Sequence, residues 1–221
     1  MKPRPLRTAV LISGTGTNLK ALIDAREQGR LDLDLVRVIS NRAEAGGLAH
    51  ARAAGIPCSL IAAAQRDAQD AAVAQCLRES NADLVVLAGY MRVLGAGLVS
   101  EFADRLINLH PSLLPKYRGL HTYRRVLEAG DTEHGASVHF VTTELDGGPV
   151  IAQARIPVLD GDTEISLAAR LAPMEHRLVV AVVELFTYRR VQLRHGRILL
   201  DDTHLTRPLH LGADGKLEDN P

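Results

Sequence analysis

The chain has 221 residues, enough to bury a sizeable core as one domain with a tail. Its 26 Lys and Arg balance 26 Asp and Glu, so net charge points neither to nucleic acid nor to a membrane surface, and any basic pocket is local. Three Phe, four Tyr and no Trp imply an aliphatic core and disfavour a base-stacking platform for single strands.

Behind Lys2-Pro3-Arg4-Pro5 there is no apolar stretch long enough for a signal peptide, and no run approaches the length of a membrane span. Cys58 and Cys76 form no CxxC pair and read as buried thiols in a reducing compartment, so the expected location is cytoplasmic. Thr8 to Ser13 is a continuous apolar run, the kind buried on both faces in a parallel sheet. Gly14-Thr-Gly-Thr-Asn18 follows, and Leu19, Leu22, Ile23 and Arg26 take helical spacing up to Gly29. Strand, glycine-rich turn and helix suit a phosphate, because glycines let the backbone approach and free amides at the helix start face the anion. The loop lacks the third glycine of a dinucleotide fingerprint and the lysine of a P-loop, which suggests a mononucleotide phosphate. A tight turn with Asn18 as helix N-cap is the competing reading.

Leu33 to Ser40 predicts a second strand, followed by Asn41-Arg42 and a helix through Leu48, Ala51 and Arg52 to Gly55. Ile56 to Ile61 predicts a short strand, Arg66 to Glu79 an Ala-rich helix, and Asp83 to Ala88 a fourth buried strand. Strand and helix alternate at the pace of βαβ units, so the expected fold is α/β, a mostly parallel open sheet with helices on both faces.

Leu106-Ile107 ends a further buried strand and delivers Asn108-Leu-His110 into a loop stiffened by Pro111, Pro115 and Gly119. Asn108 and His110 stand at i and i+2, so on an extended chain both point to one face. An amide donor and an imidazole aimed at one spot suit a developing oxyanion and a proton in transit. A proline-rich turn with a structural Asn and a surface His fits the same residues. Tyr123 to Ala129 predicts a helix, and Ala136 to Thr142 and Val150 to Val158 alternate as neighbouring strands around the Gly147-Gly-Pro149 turn. Thr163 to Tyr188 predicts a long helix kinked or broken at Pro173. Val191 to Leu200 reads as an edge strand pair turning at Gly196, and 201–221 as a flexible tail.

Asp146 fits either a carboxylate capping its own turn or a partner of His110 that favours imidazolium and raises its pKa. Of nine His, five fall between His110 and His176, yet no metal-ligand spacing appears, and no metal is expected. His139, on an alternating strand, reads as a structural His. Glu175 fits a solvated helix face or a carboxylate accepting from sugar hydroxyls. Arg66 and Arg92 are either solvated or partners of an acidic ligand. Ser112 has no base except His110, so a covalent serine mechanism is disfavoured.

Taken together, Ile12-Ser-Gly-Thr-Gly-Thr-Asn18, Ser40-Asn-Arg42, Leu87-Ala-Gly-Tyr-Met-Arg92, Asn108-Leu-His-Pro-Ser-Leu-Leu-Pro115, Gly119-Leu-His-Thr122, His134-Gly-Ala-Ser-Val-His139 and Asp146-Gly-Gly-Pro149 resemble the phosphoribosylglycinamide formyltransferase family of purine biosynthesis. The resemblance runs from about Val10 to about Phe186. It implies a single formyltransferase domain over 1–200, with a Rossmann-like nucleotide-binding half (8–105) and a half carrying the catalytic loop and folate site (106–200). It implies Asn108, His110 and Asp146 as the catalytic trio, Gly16, Thr17 and Asn18 as the phosphate loop, and Glu175 as the ribose contact. Met91, Arg92, Val93 and Leu94, with Asn108, match the folate side, and Arg66 falls where the family has an arginine near the folate's glutamate tail. His121 and Ser137 match supporting positions. Tyr90 stands where Phe is common and Arg118 where Pro often precedes the glycine. The implied substrates are 10-formyltetrahydrofolate as formyl donor and glycinamide ribonucleotide as acceptor, without metal; monomer and homodimer stay open. A hydrolase of the same folate is the nearest alternative. It would bring a further N-terminal domain, whereas seven residues precede the first strand. A non-catalytic nucleotide-binding module would need the glycine loop but not Asn108, His110 and Asp146.

Overall fold

The computed structural model describes residues 4–219; Lys2 and Pro3 of the N-terminal stretch and the last two positions of the expected tail lie outside the described residues. The first half runs β1 (Leu6–Ile12), α1 (Thr17–Glu27), β2 (Leu33–Ser40), α2 (Gly47–Ala53), β3 (Cys58–Leu60), α3 (Arg66–Ser80), β4 (Leu84–Leu87) and α4 (Ala96–Glu101). It continues with β5 (Leu106–His110), α5 (Thr122–Ala129), β6 (Glu133–Phe140), β7 (Val150–Pro157) and α6 (Glu164–Tyr188). Short strands close the chain: β8 (Val191–Arg194), β9 (Arg197–Leu200), β10 (Thr203–His204), β11 (Leu209–Leu211) and β12 (Leu217–Glu218).

Nine strands form one open sheet in the order β12-β11-β7-β6-β5-β4-β1-β2-β3. The stretch from β3 to β5 is parallel throughout, and β6 and β7 return antiparallel. Helices cover both faces, which is why the parallel strands are continuous apolar runs rather than alternating ones. Along β1, Val10 and Ile12 pack into one core with residues of α1, α2 and α6, while Ala9 and Leu11 pack into a second core with residues of α3 and α4. The chain winds outward from β1 toward β3 and from β4 toward β5, so strand order reverses between β1 and β4. In such sheets a crevice opens outside the carboxyl ends of the strands at this reversal.

Three expectations change. Pro173 lies inside a helix that runs without interruption from Glu164 to Tyr188, so no break occurs. A capping box between Thr163 and Ser166 starts that helix, and its apolar side buries Leu167, Leu171, Leu178 and Val182. The segment 201–219 is not a free tail. Leu209 and Leu211 are buried, β11 pairs in parallel with β7, and Arg177 Nη2 donates to the carbonyl of Ala213 at 2.5 Å. The β8–β9 hairpin turns at His195 and Gly196 as expected but joins β10 in a separate three-stranded sheet, not the edge of the main one.

Candidate active site

The two polar residues of β5 are set by register. Asn108 pairs opposite His139 of β6, and His110 opposite Ser137. Being two apart, Asn108 and His110 share one face, and both line a cleft of about 560 Å³ at the carboxyl ends of β4 and β5. Asp146 enters from the loop after β6, in a left-handed conformation (φ 47°). The following Gly148 is obligatory, since a Cβ there would stand 1.8 Å from the carbonyl oxygen of Phe140.

Asp146 reaches across the cleft rather than only closing its own turn. Its Oδ2 accepts from the backbone N–H of Gly119 at 2.9 Å and lies 3.5 Å from Nδ1 of His110. Its Oδ1 lies 3.5 Å from Nδ2 of Asn108 and 3.6 Å from Nε2 of His139. Burial alone would raise this carboxyl, but His139, His110 and the Gly119 N–H outweigh it and hold Asp146 at about 2.

His110 behaves differently from the expectation of a raised pKa. Burial is the largest influence and drives the imidazole below its ordinary value. The Tyr117 carbonyl, 3.0 Å from Nε2, and the Asp146 carboxylate push upward without offsetting it. Asp146 does pull the imidazole upward, but the net shift is downward, because side-chain exposure of 8% leaves the ring little water. Both ring nitrogens face acceptors, an arrangement that only a doubly protonated ring satisfies fully.

The loop beneath His110 is held by polar stitches. Ser137 Oγ donates to the carbonyl of Ser112 at 2.7 Å and accepts from Leu114 N–H at 3.1 Å and from Gln153 Nε2 at 2.9 Å. Arg118 pairs with Glu144, tying this loop to the one that carries Asp146. Here Arg118 has a partner that a proline would lack. His121 is exposed, in a left-handed conformation at the start of α5, and does not line the cleft.

At the other end of the cleft, α1 begins at Thr17 behind a left-handed Gly16, with no side chain capping its amides. A Cβ on Gly16 would stand 2.3 Å from Cα of Gly47, so the loop is packed against the start of α2. Asn18 is not the N-cap. It lines the cleft together with Glu175, while Gly16 and Thr17 lie outside the lining. Glu175 is no solvated helix charge either: burial raises its pKa, against the lowering influence of the neighbouring Asn18 and Tyr123 side chains. Tyr123 Oη lies 3.5 Å from Glu175 Oε1.

Met91, Arg92, Val93 and Leu94 all line the cleft, with Met91 and Val93 more than half exposed. Exposed Leu120 and Leu145 face the same space and give it an apolar mouth. Met91 is fixed by Ser13 Oγ, which accepts from its backbone N–H at 2.8 Å. The buried hydroxyl of Tyr90 accepts from Gln69 Nε2 at 3.0 Å, so this departure from Phe is internally satisfied. Arg66 is not brought into the lining; its Nη2 donates to the Leu94 carbonyl at 2.7 Å, which puts it at the rim.

His139 is the residue that sequence reasoning missed. It is buried, lines the cleft and touches Asn108, with Nε2 and Nδ2 3.1 Å apart. Alternation with Ser137 was the available signal, but only the antiparallel register brings it to Asn108. Among the described residues no group of three or more His, Cys, Asp or Glu could hold a metal ion, and no helix is long and apolar enough to cross a membrane.

Comparison with known proteins gives a consistent set of relatives. The Formyl transferase family matches residues 6–183. Phosphoribosylglycinamide formyltransferase of Escherichia coli strain K12 is 46% identical over 203 residues, 90% of this chain and 96% of that one. The structure of a phosphoribosylglycinamide formyltransferase from Coxiella burnetii superposes with a TM-score of 0.87 at 43% identity, covering 91% of this chain and 96% of that chain. A formyltetrahydrofolate deformylase from Burkholderia mallei also superposes, with a TM-score of 0.81 at 30% identity, but the match covers 70% of that chain against 90% of this one.

Proposed function

Because the chain belongs to the formyl transferase family, we propose that it transfers the formyl group of 10-formyltetrahydrofolate to the amine of glycinamide ribonucleotide, in the cytoplasm and in purine biosynthesis. The observation that carries this reading is that one cleft joins Asn18, in the first turn of the uncapped α1, and Glu175 to the Asn108, His110 and Asp146 cluster and to the apolar mouth around Met91. A hydrolase needs only the folate half of that cleft. The deformylase match, at lower identity and over less of its partner's length, also favours the transferase.

In this reading the amides opening α1, at Thr17 and Asn18 behind Gly16, receive the phosphate, and the helix dipole adds to their attraction. Glu175 accepts from ribose hydroxyls, and Met91 to Leu94 hold the pterin side of the folate. Arg66 at the rim and Arg92 in the lining meet its acidic tail. The amine attacks the formyl carbon, a C–N bond forms, and the formyl oxygen gains negative charge. Asn108 donates to that oxyanion, joined by a protonated His110 once its Nε2–H turns from the Tyr117 carbonyl to the substrate. The bond to the folate nitrogen then breaks; that nitrogen takes up a proton and the former amine gives one up. His110, paired with Asp146, is the group positioned to move it. His121 lies outside the cleft lining. Ser137 acts through the loop it holds.

The test is an assay of folate absorbance with and without glycinamide ribonucleotide. Tetrahydrofolate formation that depends on the nucleotide, with formyl recovered on its amine, is the expected result. Formate release at the same rate without nucleotide overturns it in favour of the hydrolase.

A further inference from the structure

Arg66, Gln69 and Asp70 stand at i, i+3 and i+4 on one side of α3, and each reaches into irregular chain that borders the cleft. Arg66 Nη2 donates to the Leu94 carbonyl at 2.7 Å, and Asp70 Oδ2 accepts from the Gly95 N–H at 2.7 Å. Gln69, between them, is 1% exposed. Its Oε1 accepts from the Ala63 N–H at 2.7 Å, and its Nε2 donates to the Ile61 carbonyl at 2.6 Å and to Tyr90 Oη at 3.0 Å. A backbone N–H can only donate and a carbonyl can only accept, so these neighbours fix which end of the amide is oxygen. Tyr90 Oη is therefore the acceptor, and a phenylalanine there would leave an Nε2 hydrogen buried without a partner.

These bonds close a circuit. Ala63, held through its N–H by Gln69, offers its carbonyl to Arg92 Nη1 at 2.8 Å, and Arg92 follows by two residues the Tyr90 that Gln69 also holds. Arg92 is the one arginine in the cleft lining. Neither Ala63 nor Arg92 belongs to a helix or strand, whereas Gln69 sits in a regular helix with its side chain packed out of water. We infer that Gln69 is a positioning residue: by seating Tyr90 and Ala63 together, it holds the Arg92 guanidinium where it meets the acidic tail of the formyl donor. That role rests on the formyl-transfer reading, which supplies the donor. A guanidinium carries N–H donors beyond the one engaged by Ala63, and its fork suits a carboxylate. Holding a long side chain in place beforehand removes part of the ordering cost from ligand binding.

The experiment compares two formyl donors, 10-formyltetrahydrofolate and the same molecule with its glutamate replaced so that it ends in an uncharged benzamide. Gln69→Leu should raise the KM for the glutamate-bearing donor about tenfold, the scale of one charge-assisted hydrogen bond. The KM values for the benzamide donor and for the nucleotide should stay within about twofold of wild type. Tyr90→Phe keeps the ring and the bonds of Gln69 to Ile61 and Ala63, and should raise the same KM about threefold. In an Arg92→Met background, Gln69→Leu should add little, because its effect passes through the guanidinium. A merely structural glutamine would disturb both donors alike. Equal KM changes for the two donors, or no change for either, overturn the inference, and so does a Gln69→Leu effect undiminished by Arg92→Met. If Gln69→Leu does not fold, Tyr90→Phe is measured with both donors and in the Arg92→Met background, and the same outcomes decide. Wild-type transfer to the nucleotide with donor-independent KM changes sinks only the role of Gln69, whereas absence of that transfer removes the functional reading and this inference together.

Discussion

Nδ1 of His110 lies 3.5 Å from Oδ2 of Asp146, and the two side chains are only 8% and 11% exposed. Burial lowers the His110 pKa, and Asp146 limits that fall. Asp146→Asn removes the upward influence, so the protonated His110 population disappears at lower pH than in the wild type. Any limb of kcat that requires imidazolium should therefore move to lower pH, with kcat near neutrality falling about 10²-fold and the KM for nucleotide little changed. NMR titration of His110 in both proteins checks the sign; an unchanged value would reduce Asp146 to a loop clasp for Gly119.

The same carboxylate couples folding to acid. Asp146 sits at about 2 in the folded protein against an ordinary 3.8, so its contribution to stability is complete above the ordinary value and is lost as pH falls toward 2. The contribution is on the order of 2 kcal/mol. Urea denaturation below pH 4 should show a shallower loss of stability for Asp146→Asn than for the wild type.

His134 predicts a second pH dependence at milder acidity. It is 1% exposed, neither ring nitrogen has a protein hydrogen-bond partner, and its ring packs edge-on to Tyr123 at 5.2 Å. Burial first, then His110, lowers its pKa from 6.5 to about 4, against the pull of Asp131. The unfolded chain binds this proton more tightly, so stability falls as pH drops below 6.5 and continues to fall until about 4. His134→Phe keeps the ring contact and removes the titration. It should cost nothing or stabilise slightly at pH 7, and should reduce the loss between pH 7 and pH 5 by about 2 kcal/mol. Urea midpoints at the two pH values decide it.

Gly16 tests the phosphate loop less cleanly than its position in the sequence suggests. A Cβ there meets Gly47 before it meets any ligand, and φ is +75°. Gly16→Ala should therefore lower stability by about 1–3 kcal/mol as well as raising the KM for nucleotide. Gly14 has open space at its Cβ and no positive φ. Gly14→Ala should leave the urea midpoint within about 0.5 kcal/mol of wild type, so any rise in its nucleotide KM reports on the site alone.

Ser137→Ala removes the acceptor for Leu114 N–H and Gln153 Nε2 and the donor to the Ser112 carbonyl, all buried. The expected cost is about 1–3 kcal/mol from unpaired polar groups. Because those bonds hold the loop under His110, kcat should fall more than either KM. An effect on stability with kcat intact would confine Ser137 to the fold.

Much of this protein is legible in local pattern. The apolar runs at Thr8 to Ser13 and Asp83 to Ala88 specify strands buried on both faces, and the i, i+2 spacing of Asn108 and His110 already puts them on one side of a strand. These signals survive because strand and helix periods are properties of neighbouring residues. The pairing of Asn108 with His139 is not local. It depends on the antiparallel register of β5 and β6, across 31 positions of chain, and no spacing rule supplies that. The net shift of His110 likewise depends on how much water the assembled walls exclude, and a nearby carboxylate in the sequence says nothing of that. The segment after Leu200 looked free because its apolar residues are few and scattered. Leu209 and Leu211 find an open sheet edge at β7, a partner that exists only once the rest of the sheet has formed.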